Sequence, residues 1–257
     1  MISTLPAPAR PSLRLVLSSL LRADFIVFLK NRLSLILSTV MPLVILLSTD
    51  SQKAAQQFGG SLSVIGLSIA YGLIATSIMG YALAIAGDRD QGVFQRLRVT
   101  PAPGWTIIAS RLVVQVAANL IIAIVVLVIG ALMHHISLSL EQYALVLLVS
   151  VVGGAMFLSI GQALVGMVQS ADSVNAAGRM LFLVLAFFGV FGLSGLLGDT
   201  VQTIARWMPV GTVMTLFAGV LNLSAWSIRD TQSLLACTAY IVVCGAIGIR
   251  WFRWDAR

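Results

Sequence analysis

The stretch Arg111-Leu-Val-Val-Gln-Val-Ala-Ala-Asn-Leu-Ile-Ile-Ala-Ile-Val-Val-Leu-Val-Ile-Gly-Ala-Leu-Met133 carries no charged side chain after its first residue. As a helix it would run roughly 35 Å, enough to cross the ~30 Å hydrocarbon core of a bilayer. Outward from it the pattern recurs. Apolar runs occupy 33–49, 61–86, 144–168, 177–198 and 233–250, which together with 111–133 make six expected spans. Of the 257 residues, 59% are hydrophobic and only 10% charged. Soluble domains are about a quarter charged, so this chain could not cover a water-facing surface. Its apolar content equally excludes disorder. The expected class is an all-α membrane protein.

The basic residues set the orientation. All but Lys30 and Lys53 of the 16 Lys and Arg are arginine, and the formal net charge is +7. With the N-terminus cytoplasmic, inside segments hold Arg10, Arg14, Arg22, Lys30, Arg32, Arg89, Arg96, Arg98, Arg111, Arg179, Arg250, Arg253 and Arg257. Outside segments hold only Lys53, Arg206 and Arg229. That bias places both termini inside. The charges sit between apolar runs, so the partner they imply is anionic lipid headgroups and not nucleic acid. Trp105, Trp207, Trp226, Trp251 and Trp254 all flank spans, as an aromatic belt requires.

Two segments do not read as spans. Residues 1–32 hold a proline-bearing tail and then Arg14, Ser18 and Arg22 on one helical face, opposite Leu13, Val16, Leu17, Leu20 and Leu21. This is the pattern of an amphipathic helix lying in the headgroup plane, although Asp24 intrudes near its apolar side. Residues 33–257 then form the six-span region. Within it, Val213–Leu221 is too short to cross. With Ile204–Trp207 before Pro209, it reads as a pair of short external re-entrant or interfacial helices, Pro209 breaking the chain between them.

Several chemistries lack their residues. No Asp, Glu, Lys or Arg lies mid-span, which disfavours an ion-coupled secondary transporter or channel of six spans. No G-x-x-x-x-G-K-[ST] loop occurs, so the chain has no means of cradling ATP phosphates in that way. No carboxylate pair sits in a span for hydrolysis. His134–His135 has no nearby Cys or carboxylate to complete a metal site. Cys237 and Cys244 are ~10 Å apart on a helix, too far for a disulfide. No catalytic, cofactor or metal site is expected.

The informative stretch is Gly87-Asp88-Arg89-Asp90-Gln91-Gly92-Val93-Phe94-Gln95-Arg96-Leu97-Arg98-Val99-Thr100-Pro101, between spans two and three. Val93, Phe94 and Leu97 form an i, i+1, i+4 apolar set, suited to a short amphipathic helix that Pro101 and Pro103 stop. Such a helix suits either a partner's groove or a connector lying on headgroups. In the first case Phe94, the bulkiest apolar residue, is the expected anchor in the partner, and Arg89 and Arg96 form weak water-exposed pairs.

This loop resembles the E-R-E-x-G-T-L-E-R-L-x-x-T-P signature of type-2 ATP-binding cassette transporter permeases, the drug- and polysaccharide-export family that includes the daunorubicin-resistance-like membrane subunits. Asp88, Arg89 and Asp90 stand where that family has E-R-E. Gly92, Arg96, Leu97, Thr100 and Pro101 match directly, and Gln95 replaces the usual Glu. Leu193-Ser194-Gly195, followed by Trp207-Met208-Pro209, resembles the family's L-S-G…P pattern. The resemblance implies a six-span permease subunit of an ATP-driven exporter in a prokaryotic plasma membrane. It would pair with a second permease subunit, as homodimer or heterodimer, and with separate ATP-binding subunits. ATP and Mg would sit on those subunits and none on this chain. Asp88, Arg89, Asp90, Gly92, Phe94, Arg96, Leu97, Thr100 and Pro101 would form the cytoplasmic coupling helix, and the N-terminal amphipathic helix the connecting helix.

Two features bear on cargo and assembly. Tyr71, Thr76, Ser77 and Tyr81 of span two, with Ser194 late in span five, either line a substrate path or act as polar glue between helices. Gly189, Gly192, Gly195 and Gly198 recur every three residues in span five, as at a close helix seam. The apolar span interiors favour a hydrophobic drug or lipid-like cargo over a long polysaccharide.

Overall fold

The computed structural model describes residues 12–30, 32–48, 60–98 and 104–251. These residues are all helical or loop, with no strand among them. In chain order the helices are α1 (Leu13–Lys30), α2 (Arg32–Ser48), α3 (Ser61–Asp90), α4 (Val93–Arg98), α5 (Gly104–Met133), α6 (Leu140–Met167), α7 (Ala171–Gly192), α8 (Asp199–Trp207), α9 (Pro209–Leu221) and α10 (Ile228–Trp251). Five of them, α3, α5, α6, α7 and α10, are long and apolar enough to cross a membrane. The first expected span forms the 17-residue α2, about 25 Å long, which runs unbroken through Pro42. Its expected outer end, and residues 1–11, lie outside the described residues.

Helix α3 is the centre of the bundle, with 83% of its most apolar stretch buried. Small residues along it let neighbours close in: a Cβ on Gly72 would meet Ile122 Cγ2 at 2.8 Å and Pro42 Cγ at 3.2 Å. Around it pack α2, α5, α6 and α9. The core joins Ile65, Ile69, Leu73 and Ile78 of α3 to Leu46, Val126, Met156, Phe157, Val213 and Phe217. The middle of α3, Ala75–Ala82, widens into π-helix. Helix α10 lies on the periphery and packs chiefly on α6.

Helix ends carry their own caps. Ser139 and Gln142 form a reciprocal capping box at the start of α6. The Gln142 side chain also donates to the Leu221 carbonyl at 2.9 Å, tying α6 to the end of α9. Helices α8 and α9 meet at an 83° bend. The break falls at the expected place, with Pro209 opening α9, where its missing N–H is not needed. Gly211 permits the sharp corner: a Cβ there would sit 2.1 Å from the Ala205 carbonyl oxygen.

One expectation is corrected. The fifth span was expected over 177–198 with a continuous glycine face. The helix instead runs Ala171–Gly192. Gly195 and Gly198 have φ of +76° and +90°, left-handed conformations that end the helix and turn the chain. Of these four, Gly189 and Gly192 are the packing glycines within the helix, against Val210 and Ala205 respectively.

Candidate functional site

Helix α3 would be about 45 Å long, so its last turns project well beyond a ~30 Å hydrocarbon layer. There it delivers Asp88, Arg89 and Asp90 to a junction of five helices, and each residue has a different target. Arg89 is 3% exposed. Its guanidinium donates to the carbonyls of Val165, Val168 and Gln169 at 2.9, 2.9 and 2.8 Å. These groups lie at and just past the end of α6, where a helix leaves acceptors unpaired and its dipole favours a cation. Asp90 Oδ2 accepts from the Ala171 N–H at 2.7 Å, so a carboxylate meets the amino end of α7. Asp88 Oδ2 pairs with Arg111 Nη2 at 2.5 Å. The acid–arginine–acid triplet thus fastens α3 to α5, α6 and α7 at once.

Arg111 is the second hub. It is 13% exposed and also lies 3.6 Å from Asp24 of α1, whose carboxylate accepts from the Ser110 hydroxyl. Burial pushes the Asp24 carboxyl above its ordinary range. The Ser110 hydrogen bond and the Arg111 charge pull it back, while Asp88 adds to the rise. The Arg111 guanidinium carbon stands 5.2 Å from the centroid of the Phe94 ring, within cation–π reach. One arginine therefore bridges α1, the end of α3 and the short helix α4.

Helix α4 hangs beneath this junction. Gly92 opens it with a φ of +69°, the conformation that reverses the chain after α3. Phe94 was expected to point outward as a partner's anchor. It is 1% exposed and packs with Tyr81, Ile85, Ile107, Leu158, Val165 and Val174. Apolar surface from these four helices is a better sink for the ring than water. Arg89, expected to form a weak water-exposed pair, is buried instead. Among the described side chains of residues 88–101, Asp90, Gln91, Gln95 and Arg96 are exposed. The side chain of Leu97, and all of Thr100 and Pro101, lie outside the described residues.

The polar residues of α3 point inward. The Tyr71 hydroxyl donates to the Ala186 carbonyl of α7, and the Thr76 hydroxyl bonds the Asn119 carboxamide oxygen of α5. The Tyr81 hydroxyl donates to Gln162 Oε1 of α6 at 2.8 Å. Ser77 is fully buried, and its hydroxyl has no hydrogen-bond partner among the described residues. Ser194 is half-buried and donates to the Phe191 carbonyl at 2.9 Å. Tyr71, Thr76 and Tyr81 therefore act as glue within one chain. Tyr81 also borders a largely apolar cavity of about 440 Å³ between α5, α6 and α10, where Ser159 and Gln162 supply the polar spots. A second apolar cavity, about 580 Å³, lies between α2 and α7 and is walled by Tyr71, Phe187, Phe188 and Phe191.

Sequence reasoning missed Asp24, Ser110 and Arg111 as a connected set, and Gln115 and Asn119 as buried polar residues farther along α5. Arg111, Gln115 and Asn119 recur every four residues, a polar stripe on an otherwise apolar helix. That spacing was the available signal.

Residues 16–222 match the model of the family described as "ABC-2 type transporter". Over 140 residues the chain is 24% identical to a protein of Bacillus subtilis (strain 168) named "Putative transport permease YvfS". That match takes in 54% of this chain and 57% of that protein.

Proposed function

The chain belongs to the ABC-2 type transporter family, and on that premise we propose that it is the membrane-spanning permease subunit of an ATP-driven exporter. A transport subunit of the membrane is the family's common denominator. The finer reading adds a separate ATP-binding subunit that carries ATP and Mg, and residues 88–101 as the element it drives. The observation that carries this reading is the junction at Arg111. A force on α4 has a short, stiff route through Phe94 and Arg111 to α5 and α1, and through Arg89 and Asp90 to α6 and α7. Elements tied this tightly move as a block, as a switch between inward- and outward-facing states requires. The partner would read the exposed Gln91, Gln95 and Arg96, while Phe94 holds the helix in place.

In this reading α1 is the interfacial connecting helix, having no buried residue and apolar side chains such as Leu15, Phe25 and Val27 exposed. Helices α8 and α9 form the external re-entrant pair that caps the outer end of the path, with both termini cytoplasmic. A second permease subunit would cover the outer face of α7, where Met180, Leu183, Val184, Phe187 and Phe191 stand exposed beside the aromatic cavity. The cargo would be a hydrophobic drug or lipid-like molecule, since both large cavities have apolar walls. The alternative, a six-span transporter or channel not driven by ATP, lacks charged groups at mid-membrane to carry its coupling.

Purified alone, the chain is expected to hydrolyse no ATP, and hydrolysis stimulated by cargo should require a co-purified P-loop subunit. Cargo movement into vesicles holding this chain alone, driven by an ion gradient and indifferent to ATP, would refute the proposal.

A further inference from the structure

Only Lys53, Arg206 and Arg229 fall outside by the charge count, and two of these three line a single cavity. Arg206 comes from the last turn of α8 and Arg229 from the first turn of α10. The cavity measures about 260 Å³, and its other walls are Thr203, Trp207, Thr215, Gln232 and Ser233. No carboxylate lines it. The nearest in sequence, Asp230, is 6% exposed and accepts from the N–H and hydroxyl of Ser227, both at 2.7 Å. Asp199 sits at the far end of α8, about 10 Å along the helix axis. Neither arginine has an ion pair among the described residues.

The wall is held in position. The Tyr240 hydroxyl donates to the Trp207 carbonyl at 3.1 Å, fixing the end of α8 against α10. The amino end of α10, a 24-residue helix, adds positive potential at the same mouth. The Thr203 and Thr215 hydroxyls donate to the Asp199 and Gly211 carbonyls, which leaves two arginine forks, the Ser233 hydroxyl, the Gln232 amide and one indole as the donor set of an oxyanion site, since arginine binds phosphate oxygens bidentately.

We propose that this pocket binds a phosphate-type oxyanion, either borne on the headgroup of an anionic amphiphile or free in solution. The assignment stands on the pocket itself, and the outside placement of 199–232 decides only which leaflet supplies a lipid ligand.

The test uses the full chain in phosphatidylcholine nanodiscs. Trp207 fluorescence is read as the signal lost on Trp207→Phe. Brominated phosphatidylglycerol should quench that signal at about tenfold lower mole fraction than brominated phosphatidylcholine. The double variant Arg206→Gln/Arg229→Gln should abolish the preference, and Lys53→Gln, which removes the third outside charge, should keep it. Both arginines are exposed, so an unchanged melting midpoint will show that the double variant still folds. An arginine-dependent lipid preference identifies the headgroup as ligand. An arginine-dependent response to inorganic phosphate without a lipid preference identifies the free anion. No arginine-dependent response in either arm, or a preference lowered as much by Lys53→Gln, would overturn the proposal.

Discussion

Replacing Arg89 with glutamine should destabilise the folded chain more than any other change of a charged residue in the 88–101 loop. Three carbonyls at the end of α6 lose their donor, and that of Val165 is left in a buried place. Hydrogen bonds to a charged donor are worth about 1.5–3 kcal/mol each, and for three that share one group about 3–5 kcal/mol in total is the reasonable loss. In a chain of this size the melting midpoint in detergent should fall by roughly 10 °C. Arg89→Lys should rescue little, because one ammonium cannot reproduce the planar fork that serves three acceptors. Arg96→Gln, at an exposed position, should stay within about 0.5 kcal/mol of the parent. Equal melting midpoints for Arg89→Gln and Arg96→Gln would contradict the staple.

Phe94→Ala carries the second large effect, and its character separates the two roles open to this ring. As an anchor in a partner's groove, its loss would uncouple transport and leave the isolated chain unharmed. At 1% exposure among Tyr81, Ile85, Ile107 and Val174, its loss opens a cavity in the chain itself. Such a truncation costs about 3–5 kcal/mol when the site does not collapse. A six-residue helix holds little structure of its own, so α4 should come loose before the bundle melts. Limited proteolysis of the isolated permease should then cut within 87–104 far faster in Phe94→Ala than in the parent. Phe94→Leu, which keeps most of the volume, should be close to wild type. Wild-type protease resistance in Phe94→Ala would return the ring to the anchor role.

The contrast between Phe94 and the spans shows what a single sequence carries. The long apolar runs located five helices because crossing a bilayer demands length and apolarity in one continuous stretch. Their ends were less legible, for a physical reason. Arg111 looks like the edge of a span because a lone charge belongs at the headgroups. In the fold it pairs with Asp24 and Asp88, and α5 starts seven residues before it, at Gly104. Asp88 similarly seemed to lie past the second span, yet α3 runs on to Asp90 because all three charges of the triplet are bound. Asp24 looked like a flaw in an amphipathic pattern and is half of an interhelix contact. The direction of Phe94 depends on residues from four other helices, and no local pattern encodes that. The charged triplet 88–90 is conspicuous in the sequence, but its internal partners 165–171 lie some eighty residues away in the chain.

Crosslinking from Gln95 tests the central claim most directly. Gln95 is exposed on α4, next to the buried Phe94, and would face the ATP-binding subunit. A Gln95→Cys variant, on a background lacking Cys237 and Cys244, would be co-expressed with that subunit and treated with a short thiol-to-amine crosslinker. The account predicts one product joining the two polypeptides, with a yield that changes when ATP is trapped on the complex. Thr203→Cys, on the outer side, should give none. A Gln95→Cys protein that never crosslinks to an ATP-binding subunit, in a complex that still transports on ATP, would show that this helix is not where the drive enters.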